Sequence, residues 1–257
     1  MSNYSFTFII GYRFQADRIF NLLRVVDWIR QFKNVQLIIV EQDTHSKFFN
    51  LNINAEHIFV KSEIAFNKSL SFNVGLKYSQ SDKVIFGDSD LIMNPTVFMK
   101  CLKELDENYE MISPYNNVVD LSPDESVLEY NDIYKIHRDG RGTHDNQKVP
   151  LCGGITMWRR NSIYKIGGWP EEFIGWGGED DLQTIKVGNF LKWGEVKANC
   201  YHLYHHRGTP DMNLYQGNLK RLKEFSQLDK KGQWDYINRI RGGIGRKNKY
   251  SDIKIND

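Results

Sequence analysis

Two hydrophobic periodicities alternate along the first ninety residues, and that alternation limits the chain to very few folds. Phe6-Thr7-Phe8-Ile9-Ile10 is an apolar, β-rich run of strand length. It is followed by Ala16 to Phe32, where Ile19, Leu22, Leu23, Val26 and Ile29 recur at helical spacing, and then by Val35-Gln36-Leu37-Ile38-Ile39-Val40. Continuous apolar strands imply burial on both faces, so this is a β-α-β unit rather than a meander. The pattern repeats in His57-Ile58-Phe59-Val60, a helix-like stretch from Asn67 to Tyr78, and Lys83-Val84-Ile85-Phe86. The expected class is α/β, with a mostly parallel central sheet flanked by helices and ligands bound at the carboxyl ends of its strands.

Other segments carry less pattern. Asn116 to Lys148 is rich in Asn, Asp, Ser and Gly, which suggests a functional loop or lid, although Tyr130 to Ile136 has the composition of a short strand. The 257 residues suffice for one large core without disulfide staples, and Cys101, Cys152 and Cys200 lie too far apart for a CxxC metal site. Such cysteine usage fits a reducing compartment. No basic leader precedes an apolar stretch and no run approaches the roughly 18 apolar residues of a membrane span, so a cytoplasmic location is expected. A net charge of +2 gives no reason to expect nucleic acid as a partner. Basic residues gather between Lys220 and Lys249, ending in Arg239-Ile240-Arg241-Gly242-Gly243-Ile244-Gly245-Arg246-Lys247. That tail is either a solvated extension or a contact with an anionic lipid surface at the inner face of a membrane. The expected organisation is a catalytic unit over residues 1–215 and a basic, helical extension over 216–257.

Three stretches carry chemistry. The strand ending at Phe86 runs into Gly87-Asp88-Ser89-Asp90, and two acids with one spacer on an extended segment face the same way. Such hard oxygen ligands suit Mn²⁺ or Mg²⁺, or else cap a loop. Cys200-Tyr201-His202-Leu203-Tyr204-His205-His206-Arg207 adds imidazoles that suit Mn²⁺ equally. In a regular strand His202 and His205 point to opposite faces, so only one of them is expected to join the acids. Third, Gly175-Trp176-Gly177-Gly178-Glu179-Asp180-Asp181 sets three consecutive carboxylates beside an aromatic platform and flexible glycines. Mutual repulsion favours a shared counter-cation or use of one acid as a base, while the same residues also suit the start of a helix. Paired glycines at Gly153-Gly154 and Gly167-Gly168 permit close backbone approach; Trp158, Trp169 and Trp193 are expected to be mostly core, and Trp176 has few local partners.

These residues resemble a known family. Gly153-Gly154 through the Gly-Trp-Gly-Gly-Glu-Asp-Asp run is similar to the C-terminal signature of the β-1,4-galactosyltransferases and of related bacterial family 2 glycosyltransferases, including chondroitin-polymerase-type domains. Phe66-Asn67-Lys68, Asn73-Val74-Gly75 and Phe86-Gly87-Asp88-Ser89-Asp90 resemble the same family's nucleotide-sugar half. The resemblance spans most of residues 5–210. It implies a GT-A fold, a Rossmann-like nucleotide-sugar half joined to an acceptor half, with a UDP-sugar held through Mn²⁺ or Mg²⁺. It also implies Asp90 as main metal ligand, Asp88 as its partner toward the metal or ribose, and His202 as the metal histidine with His205 the alternative. Donor contacts would come from Arg13, Glu41, Phe66, Lys68, Asp88 and Gly154. Asp180 would be the catalytic base, with Trp176, Gly178, Glu179 and Asp181 toward the acceptor, a saccharide or glycolipid. Gly11 stands where the family's first strand carries a proline, and the animal members' membrane anchor and cysteine bridge are not matched.

The expected reaction is therefore an inverting, metal-dependent hexosyl or N-acetylhexosaminyl transfer in polysaccharide or glycolipid synthesis. The alternatives are a retaining transferase and a nucleotide-sugar-binding protein without turnover. A nucleotidyltransferase would need a glycine-rich phosphate loop after the first strand, which Gly11-Tyr12-Arg13-Phe14-Gln15 does not supply.

Overall fold

The computed structural model describes residues 4–142, 153–206, 208–245 and 252–256. Cys152, Arg207, Arg246, Lys247, Lys249 and the end of the polar insertion beyond residue 142 lie outside the described residues. Strands β1 (Phe6–Tyr12), β2 (Val35–Asp43), β3 (Glu56–Lys61) and β4 (Lys83–Gly87) alternate with α1 (Ile19–Ile29) and α2 (Lys68–Tyr78). Then follow β5 (Leu91–Met93), α3 (Pro95–Glu107), β6 (Met111–Ser113), β7 (Asn117–Asp120), α4 (Pro123–Ser126), α5 (Tyr130–Ile133) and β8 (Arg141–Gly142). The remainder is β9 (Thr156–Arg159), α6 (Arg160–Lys165), α7 (Glu179–Phe190), β10 (Trp193–Glu195), β11 (Asn199–His202), α8 (Met212–Ser226), α9 (Lys230–Arg241) and β12 (Asp252–Asn256).

The main sheet has the order β10-β6-β9-β4-β1-β2-β3-β12. Its centre is parallel, with β1 between β2 and β4, while β9 and β12 run antiparallel to their neighbours. Strand order reverses at β1, so a crevice opens beyond the carboxyl ends of β1 and β4. Residues 11–13 and 88–90 lie there.

Both faces of the sheet are covered, which is why β1 reads as unbroken apolar sequence. Phe6, Phe8, Ile10 and Tyr12 pack with Trp28 of α1 and Phe98 of α3, while Ile9 packs on the opposite face with Leu70, Phe72 and Val74 of α2 and with Trp158 and Trp169. Each fully buried large apolar side chain contributes about 1.5–3 kcal/mol. Helix α2 lies so close to β1 that a methyl group at Gly75 would run into Ile9 Cγ2. Its N-terminus is pinned from three directions: Asn67 Oδ1 accepts from Leu70 N (2.9 Å), Asn67 N donates to Gln42 Oε1 (2.6 Å), and Asn67 Nδ2 donates to Glu171 O (2.7 Å). Asn73 then grips the backbone of Trp169 at both N and O, 2.8 Å each. Lys68, the first residue of α2, is thereby placed at the crevice.

A second sheet, β5-β11-β7-β8, stands beside the first. It absorbs most of the polar insertion, which through residue 142 is built structure rather than a free lid. Tyr130 to Ile136 is not a strand: α5 occupies its start because Tyr130 stacks under Arg24, donates to Arg24 O (2.7 Å) and stacks on Tyr134 one turn later. The boundary expected at residue 215 falls inside α8. Beyond it, Asn218 of α8 donates to Ile174 O (3.0 Å), and β12 pairs with β3 along the sheet edge. Among the described residues, no helix is long and apolar enough to cross a membrane.

Candidate active site

The second sheet brings the aspartates and histidines together. Asp90 ends the turn after β4, and β5 immediately pairs antiparallel with β11, setting Leu91 opposite His202. Leu203 N donates to Asp90 O (2.8 Å), so the chain leaving β11 folds back over Asp90. Because the strand ends at His202, strand alternation no longer governs His205. Both imidazoles face Asp90, correcting the expectation that they point apart. His205 Nε2 lies 3.2 Å and His202 Nε2 3.8 Å from Asp90 Oδ2. Asp90, His202 and His205 form a group able to hold a metal ion, and Asp88 is not part of it.

The protonation chemistry of these histidines fits a cation. His205 Nδ1 donates to His206 O (2.9 Å), and His202 Nδ1 lies 3.0 Å from Asp120 Oδ1. A carbonyl and an ionised carboxylate only accept, so each Nδ1 carries a proton. His205 Nε2 also donates to Asp90 and would give up that proton to a cation, whereas His202 Nε2, 3.8 Å away, is free to turn a lone pair toward the same position. Burial favours a neutral His202, whereas the hydrogen bond to Asp90 raises the pKa of His205. Burial alone would raise Asp90, but His205, His202 and Arg18 together hold it below the usual carboxylate value. Arg18 Nη1, 3.7 Å from Asp90 Oδ2, is a neighbour that the sequence did not single out. A cavity of about 670 Å³ opens beside the histidines, its walls including Asp120, Ser122, Arg138 and Tyr204.

The acidic run lies across the crevice at the first turn of α7. Gly175, Gly177 and Gly178 all have positive φ (76°, 97° and 88°), the conformation that favours glycine. They turn the chain sharply enough for Glu179 and Asp180 to enter the site. Lys68 Nζ donates to both oxygens of Asp180 (2.8 and 2.9 Å) and lies 3.1 Å from Glu179 Oε1. The counter-cation of the acid cluster is therefore a side chain. Burial would weaken the ammonium, yet Asp180, Asp88 and Glu179 hold its pKa well above the usual lysine value. Asp180 is ringed by protein but keeps 35% of its side chain open to the crevice. Burial, opposed by Lys68 and aided by Glu179 and Asp88, lifts its pKa to about 7. Asp88 is raised likewise, by burial first and then by Asp90 and Glu179 against Lys68. Asp181 is raised by burial and by Glu179.

Glycines shape the wall behind Asp180. A Cβ at Gly153 would stand 3.0 Å from Asp180 Oδ2, and Gly154, at φ 70°, leaves space that Tyr115 Oη fills. That hydroxyl donates to Gly153 O (2.8 Å) and accepts from Ile155 N (3.0 Å), bracing the turn.

The remaining expected residues are spread around the crevice. Arg13 Nη1 donates to Ile64 O (2.7 Å), and the Phe66 ring approaches Gly11. Glu41 is fully buried and bonds Ser46, Lys47 N and His57, so its carboxylate orders the segment that follows β2. Gly175 N donates to Phe66 O (2.9 Å), tying the glycine loop to the start of α2. Trp176 is 64% exposed and stacks on Tyr215 at 5.3 Å, a partner from α8. Trp158 and Trp169 are core residues.

A mostly parallel β-sheet with an acid pair at its switch point and a second acid cluster opposite is the arrangement of a GT-A glycosyltransferase fold. The model of glycosyl transferase family 2 matches residues 21–167, more than half of the sequence, and the chain belongs to that family. Residues 145–206 also match the model described as the N-terminal domain of galactosyltransferase. The zebrafish (Danio rerio) β-1,4-galactosyltransferase 5 is 27% identical over 204 residues, covering 74% of this chain and 44% of the relative; the pig (Sus scrofa) protein of that name is 27% identical over 186 residues, covering 68% and 41%. The chain thus spans less than half the length of these curated relatives. Among solved structures, Staphylococcus aureus TarS is similar with a TM-score of 0.57 at 15% identity, covering 95% of this chain and 44% of that one. A mutant Drosophila β-1,4-galactosyltransferase 7 in complex with manganese, UDP-Gal and xylobiose has a TM-score of 0.50 at 15% identity, covering 78% and 71%.

Proposed function

We propose that the chain is an inverting, UDP-sugar-dependent hexosyltransferase that acts on a saccharide or glycolipid hydroxyl. The observation that carries this reading is the pairing of two centres across one crevice: a nitrogen and oxygen donor set at Asp90, His202 and His205, and a carboxylate with a pKa of about 7 at Asp180. Those three donors would hold Mn²⁺, and that ion would neutralise charge on a departing nucleoside diphosphate. Mn²⁺ and UDP-Gal in the Drosophila neighbour are in keeping with this.

The chain's own residues account for the other half of the reaction. Asp180 accepts the proton of the acceptor hydroxyl as its oxygen forms a bond to the anomeric carbon and the bond from that carbon to the diphosphate oxygen breaks. A base with a pKa near 7 suits proton transfer at neutral pH. Lys68 favours the ionised form of Asp180 against its burial and aims it, and Glu179 and Asp181 would meet acceptor hydroxyls. Trp176 offers an exposed ring for a sugar face. Arg13 and Phe66 flank the nucleotide side, and Asp88, between Lys68 and Asp90, faces the ribose or donor sugar. A role in polysaccharide or glycolipid assembly follows from such an acceptor.

The test is UDP release from a panel of UDP-sugars with Mn²⁺, with and without saccharide acceptors, plus anomeric analysis of the product. Acceptor-dependent release with inverted configuration is expected. Retention of configuration would refute inversion, and tight donor binding without turnover would refute transfer.

A further inference from the structure

His202 and His205 do not complete the metal centre alone, because each imidazole must be held by its other nitrogen. His205 uses its neighbour's carbonyl. His202 instead meets a carboxylate from the polar insertion: β7 runs parallel to β11 with Asp120 opposite His202, and Asp120 Oδ1 lies 3.0 Å from Nδ1. Asp120 is itself clamped. Arg141 Nε donates to Oδ2 (2.9 Å) and Nη2 to Oδ1 (2.7 Å), the bidentate fork that fixes a carboxylate in plane. Arg141 belongs to β8, which pairs with β7, and Asn117 Oδ1 accepts from Gly140 N (3.0 Å) to close that turn.

The geometry points to Asp120, braced by Arg141, as a positioning residue that holds His202 with its proton on Nδ1 and its Nε2 lone pair aimed at the cation position. This rests on the metal role proposed above. It gives residues 117–142 a purpose that their composition did not disclose: the insertion is the outer support of the metal centre. An outer carboxylate of this kind orients the ring and raises its basicity, and removing one typically costs 10–100-fold in metal affinity.

The test uses the full chain without donor, titrated with Mn²⁺ alone and followed by the electron paramagnetic resonance signal of free Mn²⁺. Asp120→Ala is expected to raise the Kd for Mn²⁺ about 10–100-fold. In the metal-free protein, ¹H–¹⁵N correlation spectra should show His202 protonated at Nδ1, and Asp120→Ala should move that proton to Nε2 in part of the population. A purely structural role would change neither tautomer nor affinity selectively. If the wild type binds Mn²⁺ and Asp120→Ala binds it within twofold, the inference is overturned while the proposed function stands. If the wild type binds no Mn²⁺, the proposed metal role fails, and the tautomer measurement still decides whether Asp120 controls His202. Should Asp120→Ala not fold, Arg141→Gln removes only the brace, and both readouts must still move in the same direction.

Discussion

Replacing Lys68 with methionine tests the acid cluster directly. The ammonium bonds both oxygens of Asp180 and lies 3.1 Å from Glu179, while Asp88 also contributes to its field. Methionine keeps most of the length and removes the charge. A unit charge pair at about 4 Å is worth about 4 kcal/mol at an effective dielectric constant near 20. Asp180 is one-third open to the crevice, so screening reduces the net effect to about 1–2 kcal/mol. One pH unit corresponds to about 1.4 kcal/mol, so the acidic limb of the activity profile should move upward by about one pH unit. The sign follows from the role: a base must be unprotonated, and loss of the cation favours the protonated form. At pH 7 the variant should lose about 5–10-fold in kcat/KM, and by pH 9 most of that loss should vanish. The assay is kcat/KM for acceptor-dependent UDP release between pH 5.5 and 9.5 at saturating Mn²⁺, because that ratio reports the free enzyme. An acidic limb that stays in place, or a deficit undiminished at pH 9, would refute the assignment of Lys68 as partner to the base.

Gly75→Ala should destabilise the fold by about 1–3 kcal/mol, since the added methyl meets Ile9 Cγ2; an unchanged Tm would contradict the close approach of α2 to β1. Trp176→Ala should leave stability within about 0.5 kcal/mol, because the ring is mostly exposed, yet raise the acceptor KM; equal KM values would remove the ring from acceptor binding. Chelation of divalent ions should abolish UDP-sugar affinity measured calorimetrically, and Mn²⁺ should restore it in the wild type but not in Asp90→Ala. Recovery in that variant would place the cation elsewhere.

The sequence disclosed the sheet well because β1 to β4 are buried on both faces, and their apolar runs leave little room for another reading. The two acidic motifs around Asp90 and Asp180, which the fold brings to one crevice, also stand out by their neighbours in sequence. Residues defined by distant partners were harder to see. Whether His205 joins His202 depends on where β11 stops, which is set by pairing with β5 and by Leu203 bonding Asp90, not by local composition. Arg18 and Asp120 reach the aspartate and histidine only through the fold, and nothing in their own surroundings marks them. Tyr130 to Ile136 looked strand-like because it is aromatic and β-branched, but contacts with Arg24 and Tyr201 overrule that preference. Glu41, expected among the donor contacts, is instead tied up in buried bonds that could not be read without His57 beside it.

One missing carbon at position 153 has an outsized consequence. With Tyr115 bracing the backbone there, even alanine would press on Asp180 Oδ2, the oxygen proposed to receive the acceptor's proton. A side chain at this spot would have to displace Asp180 by a few tenths of an ångström, so position 153 sets how closely the wall can follow that carboxylate.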